Sequence, residues 1–387
     1  MLRRWHRRAL PLAVFVLVYF LVLVYPPLRI GTLAWPGWQP DTLLLALLMA
    51  GPAAGRLACE WLSGWRARLL GALVMTWLGI TFVALCVLVP WELAALVLPL
   101  PAQASGYALL GVTAALTVAG LVNGQRLHRR VVEVPAPASV HGLTLVQITD
   151  VHIGSRSGAF LRRVVRAANG ARPDLVLITG DLVDFRDVGA DVLAPLGELA
   201  APAFYVIGNH ERYVDCDAIC ARLTDLGVTV LRNLSTEIGP LQLIGIDDAE
   251  PPSQVGRVLE RLTPLPHAYR ILLYHRPSGV EDAARWGVQL MVSGHTHNGQ
   301  IVPFNQIVRR VFPRIRGLYA VDGLHLYVSP GTGTWGPLLR LGSRCEVTVL
   351  RLTASEAEPG QEPVEPVELQ HLPGQRGHVR APAGEIE

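Results

Sequence analysis

The stretch 69–89 contains no charged side chain. A helix needs about 20 apolar residues to cross a bilayer, and a water-soluble bundle has no use for such a run. Three more apolar runs, 9–25, 42–57 and 107–122, fill the same half of the chain. The run 42–57 is the shortest and carries Gly51-Pro52; 107–122 is rich in Gly and Ala. Seven of the nine Trp precede residue 92, and Trp35, Trp38, Trp61, Trp65 and Trp91 fall near run ends. An interfacial aromatic belt places them there. The sequence therefore predicts an N-terminal α-helical transmembrane bundle of about four helices over 1–130.

Charge separates this half from the rest. Residues 1–130 carry 11 Arg and three acids (Asp41, Glu60, Glu92), whereas 131–387 carry 23 Arg and 28 acids. The overall charge of +3 is thus a basic, apolar front joined to a mildly acidic back. No basic face interleaved with aromatics is visible, so nucleic-acid binding is not expected. Pro26-Pro27-Leu28-Arg29 after the first run offers no small-residue cleavage site, so that run reads as an anchor. Arg3, Arg4, Arg7 and Arg8 precede run one, Arg56, Arg66 and Arg68 lie between runs two and three, and Arg126, Arg129 and Arg130 follow run four. Positive-inside then predicts a multi-pass cell (inner) membrane protein with the back half on the cytoplasmic face. If 42–57 does not span, that half lies outside. Three cysteines in the back half, Cys216, Cys220 and Cys345, make no disulfide framework. Cys216 and Cys220, one helical turn apart, read as helix packing in preference to a metal site.

The proline-bearing stretch after residue 130 predicts a linker over 131–142. From 143 to 353, short apolar strands (143–149, 175–179, 203–207, 241–246, 271–274, 288–292, 324–329 and 346–352) alternate with helical patterns near 160–168, 191–199, 217–226 and 254–262. That alternation argues an α/β layered sandwich. Residues 354–387, rich in Glu, Pro, Gly and Gln, read as a disordered acidic tail.

Polar residues fall at the ends of five of these strands. They are Asp150-Val151-His152, Gly180-Asp181-Leu182-Val183-Asp184, Gly208-Asn209-His210-Glu211, Tyr274-His275 and Gly294-His295-Thr296-His297. Ligands of open α/β sheets bind at the carboxyl ends of strands, so these residues can converge although they span half the back region. Each motif alone is weak; five in this order do not arise by accident.

The set resembles the calcineurin-like metallophosphoesterase superfamily over roughly 143–350. Gly294-His295-Thr296-His297-Asn298-Gly299-Gln300 and Tyr327-Val328-Ser329-Pro330-Gly331-Thr332-Gly333 resemble its bacterial YkuE-like branch, with Asn298 and Pro330 departing from that pattern. The resemblance implies a four-layer αββα sandwich holding two divalent metal ions. By position, Asp150, His152 and His297 bind the first ion, Asp181 bridges, and Asn209, His275 and His295 complete the second. Carboxylates, imidazoles and one amide oxygen suit Mn²⁺, Fe²⁺ or Zn²⁺. It implies attack on a phosphoester by a hydroxide bridging the ions, with His210 as general acid and Asp184 orienting it.

Other polar residues stay open. Asp247 and Asp248 either touch the site or cap a turn; Arg156 and Arg186 either hold a substrate phosphate or lie on the surface; Glu211 reads as a brace of its loop. Arg309, Arg310, Arg314 and Arg316 make 304–318 a basic rim segment that either reads headgroups or is an ordinary loop. The expected function is a membrane-anchored phosphohydrolase, its partners the lipid bilayer and a phosphoester that the short linker suggests is lipid-linked. The alternatives are a tethered phosphomonoesterase or phosphodiesterase for soluble substrates, and a non-catalytic metal-binding module.

Overall fold

The computed structural model describes residues 2–186, 188–249, 251, 253–354 and 379–380. The chain divides into two units, Met1–Gln125 with Gly336–Leu341, and Arg126–Trp335 with Gly342–Glu387.

In the first unit, α1 (Leu2–Tyr19), a π turn (Phe20–Val24) and α2 (Tyr25–Ala34) follow one another without a break; α3 (Thr42–Trp61), α4 (Gly64–Ala95) and α5 (Ala102–Gln125) follow. Among the described residues, four segments are long and apolar enough to cross a membrane: Leu10–Ala34, Thr42–Trp61, Gly64–Ala95 and Ala102–Gln125. The first is longer than the run 9–25, because Pro26-Pro27 does not end the helix. The π turn lets the Tyr25 N–H bond the Phe20 carbonyl just ahead of the two residues that lack an N–H. Pro52 likewise leaves α3 intact, and its 20 residues reach about 30 Å, one hydrocarbon thickness. Asp41 caps α3 by accepting the Leu44 N–H at 2.7 Å. The charges Arg29 and Glu92 pair at 2.7 Å, and the Tyr25 hydroxyl donates to the same carboxylate at 2.8 Å. Gly336–Leu341 belongs to this unit: the Arg340 N–H donates to the Gly120 carbonyl at 2.9 Å, and Asn123 Nδ2 to the Arg340 carbonyl at 3.0 Å.

The second unit begins with β1 (Leu127–Ala136), β2 (Thr144–Ile148), α6 (Gly158–Asn169), β3 (Leu175–Thr179), α7 (Ala190–Leu193), β4 (Ala203–Val206), α8 (Cys216–Asp225) and β5 (Val228–Val230). It continues through β6 (Leu234–Ile238), β7 (Leu241–Ile246), α9 (Gln254–Leu259), β8 (Tyr269–Tyr274), α10 (Val280–Trp286) and β9 (Leu290–Ser293). Then come α11 (Asn305–Val311), β10 (Gly317–Val321), β11 (Leu324–Val328), β12 (Cys345–Ala354) and β13 (Val379–Arg380). One sheet has the order β1-β12-β2-β3-β4-β5, the other β10-β11-β9-β8-β7-β6-β13. The runs β2-β3-β4-β5 and β7-β8-β9-β11 are parallel.

Strict alternation along each strand makes four layers. Leu145, Leu175, Leu177 and Val206 face Leu243, Ile271, Leu273 and Val292 between the sheets. Val146, Ile148, Val176 and Ile178 pack outward on Leu161, Val164, Val165 and Ala168 of α6. Ile244, Ile246, Leu272 and Met291 pack outward on Val255, Val280 and Ala283 of α9 and α10. Strands buried on both faces read as continuous apolar runs, which is why these elements are visible in the sequence. The fold is the αββα sandwich.

The expected linker 131–142 is corrected. Half of it, 131–136, belongs to β1, which pairs with β12 in register from Leu127↔Cys345 to Ala136↔Ala354. Pro135 is tolerated because β1 is an edge strand. Of the expected tail 354–387, the described residues are Ala354, which ends β12, and Val379–Arg380, which pair with β6; the remainder lies outside the described residues.

Leu273 is fully buried between the sheets. Leu273→Ala is expected to cost about 2–5 kcal/mol and to lower the thermal midpoint of the detergent-solubilised chain by roughly 5–15 °C. An unchanged midpoint would contradict the two-sheet core.

Candidate metal centre

The parallel strands β2, β3, β4, β8 and β9 all deliver their polar residues beyond their carboxyl ends, and the sandwich brings these to one crevice. Three groups of side chains stand close enough to hold a cation: Asp150, His152 and His297; Asp181, His275 and His295; and His152, Asp184 and His210. His297 Nε2 lies 3.3 Å from Asp150 Oδ1 and 3.0 Å from His152 Nε2. His275 Nε2 lies 3.1 Å from Asp181 Oδ2 and 3.2 Å from His295 Nδ1. Asn209 Oδ1 is buried and has no hydrogen-bond partner among the described residues.

The backbone at these positions is unusual. Asp150, His152, Asp181, His295 and His297 all have φ between +49° and +70°. Non-glycine residues avoid this region at a cost of about 1–2 kcal/mol each, and such residues persist only where the surroundings dictate them. The neighbouring glycines are equally constrained. A Cβ at Gly208 would meet Asp181 Oδ1, and one at Gly294 would meet Asp150 Oδ2. Asn298, at φ +50°, occupies the same left-handed region. Asparagine is among the few side chains that visit it routinely.

Hydrogen bonds hold these turns. The buried Glu211 carboxylate accepts the N–H groups of Asp181, Leu182, Val183 and Gly208 at 2.7–3.0 Å. It is the brace that its sequence position suggests. Asp150 accepts the His295 N–H at 3.1 Å and the Thr149 hydroxyl at 2.8 Å. Asp181 Oδ1 accepts the His210 N–H at 2.9 Å.

Partners beyond the ligand atoms fix the rings. The His275 Nδ1–H donates to the Thr179 carbonyl at 2.8 Å, which leaves Nε2 free to face Asp181. Asp184 Oδ1 accepts from His152 Nδ1 at 2.6 Å and from His210 Nδ1 at 2.8 Å, while Oδ2 accepts the Ser155 hydroxyl at 2.7 Å. The sharing of Asp184 between His152 and His210, and the Ser155 contact, have no signal in the sequence. They depend on how two distant loops meet.

Charge compensation fits a cation. Burial works against ionising Asp150, Asp181 and Asp184, but the facing imidazoles outweigh it and hold all three below the usual carboxylate range. Burial also opposes the charged form of His210, yet Asp184 and Asp181 raise it to about 9. Against the same burial, Asp181 raises His275 to about 10. Burial and the neighbouring His275 push His295 down to about 3. Divalent cations supply the same compensation with the ligand rings neutral. The orphaned Asn209 oxygen and the facing His152 and His297 nitrogens fit them too.

Several polar residues stand outside the centre. Arg156 is buried against the Phe160 ring at 4.6 Å, so it neither lies on the surface nor projects to a substrate phosphate. Asp248 takes Arg276 at 2.6 Å and Asp247 takes Arg232 at 2.7 Å, and both brace loops. Arg186 is exposed. Cys216 and Cys220 pack on the outer core, and among the described residues no further ligand joins them.

Glu211→Gln keeps the shape but turns an amide NH₂ toward backbone donors. We expect a loss of about 2–4 kcal/mol, since each buried group left unpaired costs about 1–3 kcal/mol, together with reduced Mn²⁺ retention by elemental analysis. Wild-type stability and metal content in this variant would contradict the brace.

A family model described as Calcineurin-like phosphoesterase matches residues 143–299. The chain is similar to a transmembrane protein with metallophosphoesterase domain from Bos taurus, 36% identical over 274 residues, covering 63% of this chain and 61% of that protein. It is 33% identical over 222 residues to an uncharacterized metallophosphoesterase of Aquifex aeolicus, covering 54% of this chain and 85% of that one. It is 29% identical over 240 residues to the uncharacterized metallophosphoesterase YkuE of Bacillus subtilis, covering 57% and 82%. The chain spans about 60% of the length of its animal relatives from Bos taurus and Danio rerio. The motif residues at five strand ends, the αββα sandwich that gathers them, the family match over 143–299 and the identity to these relatives have one reading: the chain belongs to the calcineurin-like metallophosphoesterases.

Proposed function

We propose that this protein is a membrane-anchored phosphohydrolase that uses two divalent cations and acts on a lipid-linked phosphoester. The reading rests above all on one observation: ligand-type side chains from five strand ends meet in one crevice, beside a histidine whose ring is held by a carboxylate. Asp150, His152 and His297 would hold one ion, Asn209, His275 and His295 the other, and Asp181 would serve both. Divalent ions held by these residues would supply a water of lowered pKa and offset charge that develops on the phosphoryl oxygens.

His210 donates a proton to the leaving oxygen. Its ring is 21% exposed, so it is the open edge of the cluster, and Nε2 lies 3.8 Å from Asp181 Oδ2. Asp184 takes the Nδ1–H and so leaves Nε2 as the donating atom. Through its second contact, to His152 Nδ1, the same carboxylate ties the general acid to a ligand of the first ion.

β1 begins two residues after α5 ends, which keeps the hydrolase unit tethered at the membrane and supports a membrane-resident substrate. The arginines at 3–8, 56–68 and 126–130 support an inner-membrane protein with both ends cytoplasmic.

The test uses the full chain in detergent, stripped of metal, with aryl phosphomonoester and phosphodiester substrates and a Mn²⁺ titration. We expect Mn²⁺-dependent turnover, a raised Mn²⁺ requirement in Asn209→Ala, and about 10²–10⁴-fold slower turnover in His210→Ala. Turnover that survives metal removal would overturn the reading.

Asp184 raises the His210 pKa, so the general acid stays protonated to higher pH. In Asp184→Asn the ring loses its proton earlier, and the alkaline limb of the kcat profile is expected to move to lower pH. A limb that stays in place, or moves up, would remove Asp184 from this role.

A further inference from the structure

Among the described residues, the α/β unit exposes six large hydrophobic side chains: Val131, Tyr213, Val302, Ile307, Val311 and Trp335. Two of them, Tyr213 and Trp335, stand beside the metal centre. The Tyr213 ring lies 6.2 Å from His210, and the Trp335 ring stacks at 6.5 Å on His297. Gln300, two residues before Val302, accepts the Trp335 N–H at 2.8 Å and donates to its carbonyl at 2.9 Å. Phe312, which ends α11, sets its edge on His295 at 5.0 Å. The rim is therefore pinned to the ligand histidines while its apolar side chains face outward.

The helix α11 has no buried residue. Ile307 and Val311, one turn apart and 53% and 68% exposed, share a face. A seven-residue helix with nothing buried has little stability of its own. Arg314 and Arg316 have acidic neighbours in Glu281 and Glu346. Arg309 and Arg310 are exposed, and no carboxylate stands within 4.0 Å of either among the described residues. An apolar stripe flanked by arginines without a carboxylate partner among the described residues matches the interface of an anionic bilayer, where apolar side chains enter the headgroup boundary and cations meet phosphates. The chain carries its own spans, and Trp335 directly precedes Gly336–Leu341, which groups with them. Both α11 and Trp335 lie beyond residue 299, where the family match ends.

We propose that α11, with Val302 and Trp335, is a docking surface for an anionic lipid bilayer, which presents headgroup phosphoesters to the metal centre. This rests on the phosphohydrolase reading and adds the element that meets the membrane. The test uses full-length protein in nanodiscs of phosphatidylcholine and phosphatidylglycerol, in a background freed of its five native cysteines. An environment-sensitive fluorophore is placed on Val311→Cys or, as control, on Asp225→Cys, an exposed site just before the amino end of β5. We expect blue-shifted emission quenched by doxyl lipids at 311 and neither at 225. A solvent-like, unquenched probe at 311 would overturn the proposal. So would a blue shift without lipid quenching, which would mark a second copy or another protein as the occupant.

In the native-cysteine chain, Ile307→Glu with Val311→Glu should raise KM for a membrane-resident diphosphate lipid about tenfold and leave kcat/KM for an aryl phosphate within about twofold. An unchanged KM for the lipid would overturn the proposal. Metal-independent aryl phosphate turnover in the parent chain would instead count against the phosphohydrolase reading, and the quenching measurement does not depend on turnover.

Discussion

Three of the five strands that feed the metal centre, β2, β3 and β9, end by turning the chain into a left-handed conformation, and the site depends on those turns being held. Asp150, His152, Asp181, His295 and His297 all stand at positive φ. Left alone, each would relax toward ordinary backbone and carry its side chain away from the cluster. Backbone amides drawn onto carboxylates prevent this. Glu211 gathers four N–H groups from two loops, Asp150 takes that of His295, and Asp181 that of His210. The carboxylates Asp150 and Asp181 thus act twice, as candidate ligands and as the bonds that shape the loops carrying other ligands.

The sandwich makes this possible at a distance from the chemistry. Leu145, Leu177, Leu273 and Val292 lock two sheets face to face, so the carboxyl ends of strands far apart in sequence open on one edge. Near that edge Gln147 crosses between sheets, donating to Thr179 Oγ1 at 2.8 Å and to the Ser293 carbonyl at 3.0 Å. A buried amide nitrogen that donates to both sheets ties together the strand ends that deliver Asp181 and His295. Packing sets the spacing, and the hydrogen-bonded turns set the aim.

Most of this was legible in the sequence because apolar strands buried on both faces stop abruptly at Asp, Asn or His. A polar residue at the end of such a run has few purposes other than chemistry. The departures have specific causes. The stretch 131–142 reads as a linker from Pro135 and Pro137, but β1 is specified by its pairing with β12, more than two hundred residues away. Arg156 lies four residues beyond the candidate ligand His152 in sequence, yet its guanidinium turns into the core over Phe160. Asp184 shows itself as a partner for His210 only by position, and its equal claim on His152 emerges from the meeting of two loops. Trp335 and Phe312 are part of no motif, so nothing in the sequence ties them to His297 and His295.

The account turns on two cations sharing Asp181. The most direct measurement is electron paramagnetic resonance of the full-length protein loaded with Mn²⁺, together with its metal content by elemental analysis. The account predicts two Mn²⁺ per chain and the multiline signal of an exchange-coupled pair, replaced by uncoupled signals in Asp181→Asn. A single Mn²⁺ per chain, or two with only the six-line spectrum of isolated ions, would contradict it.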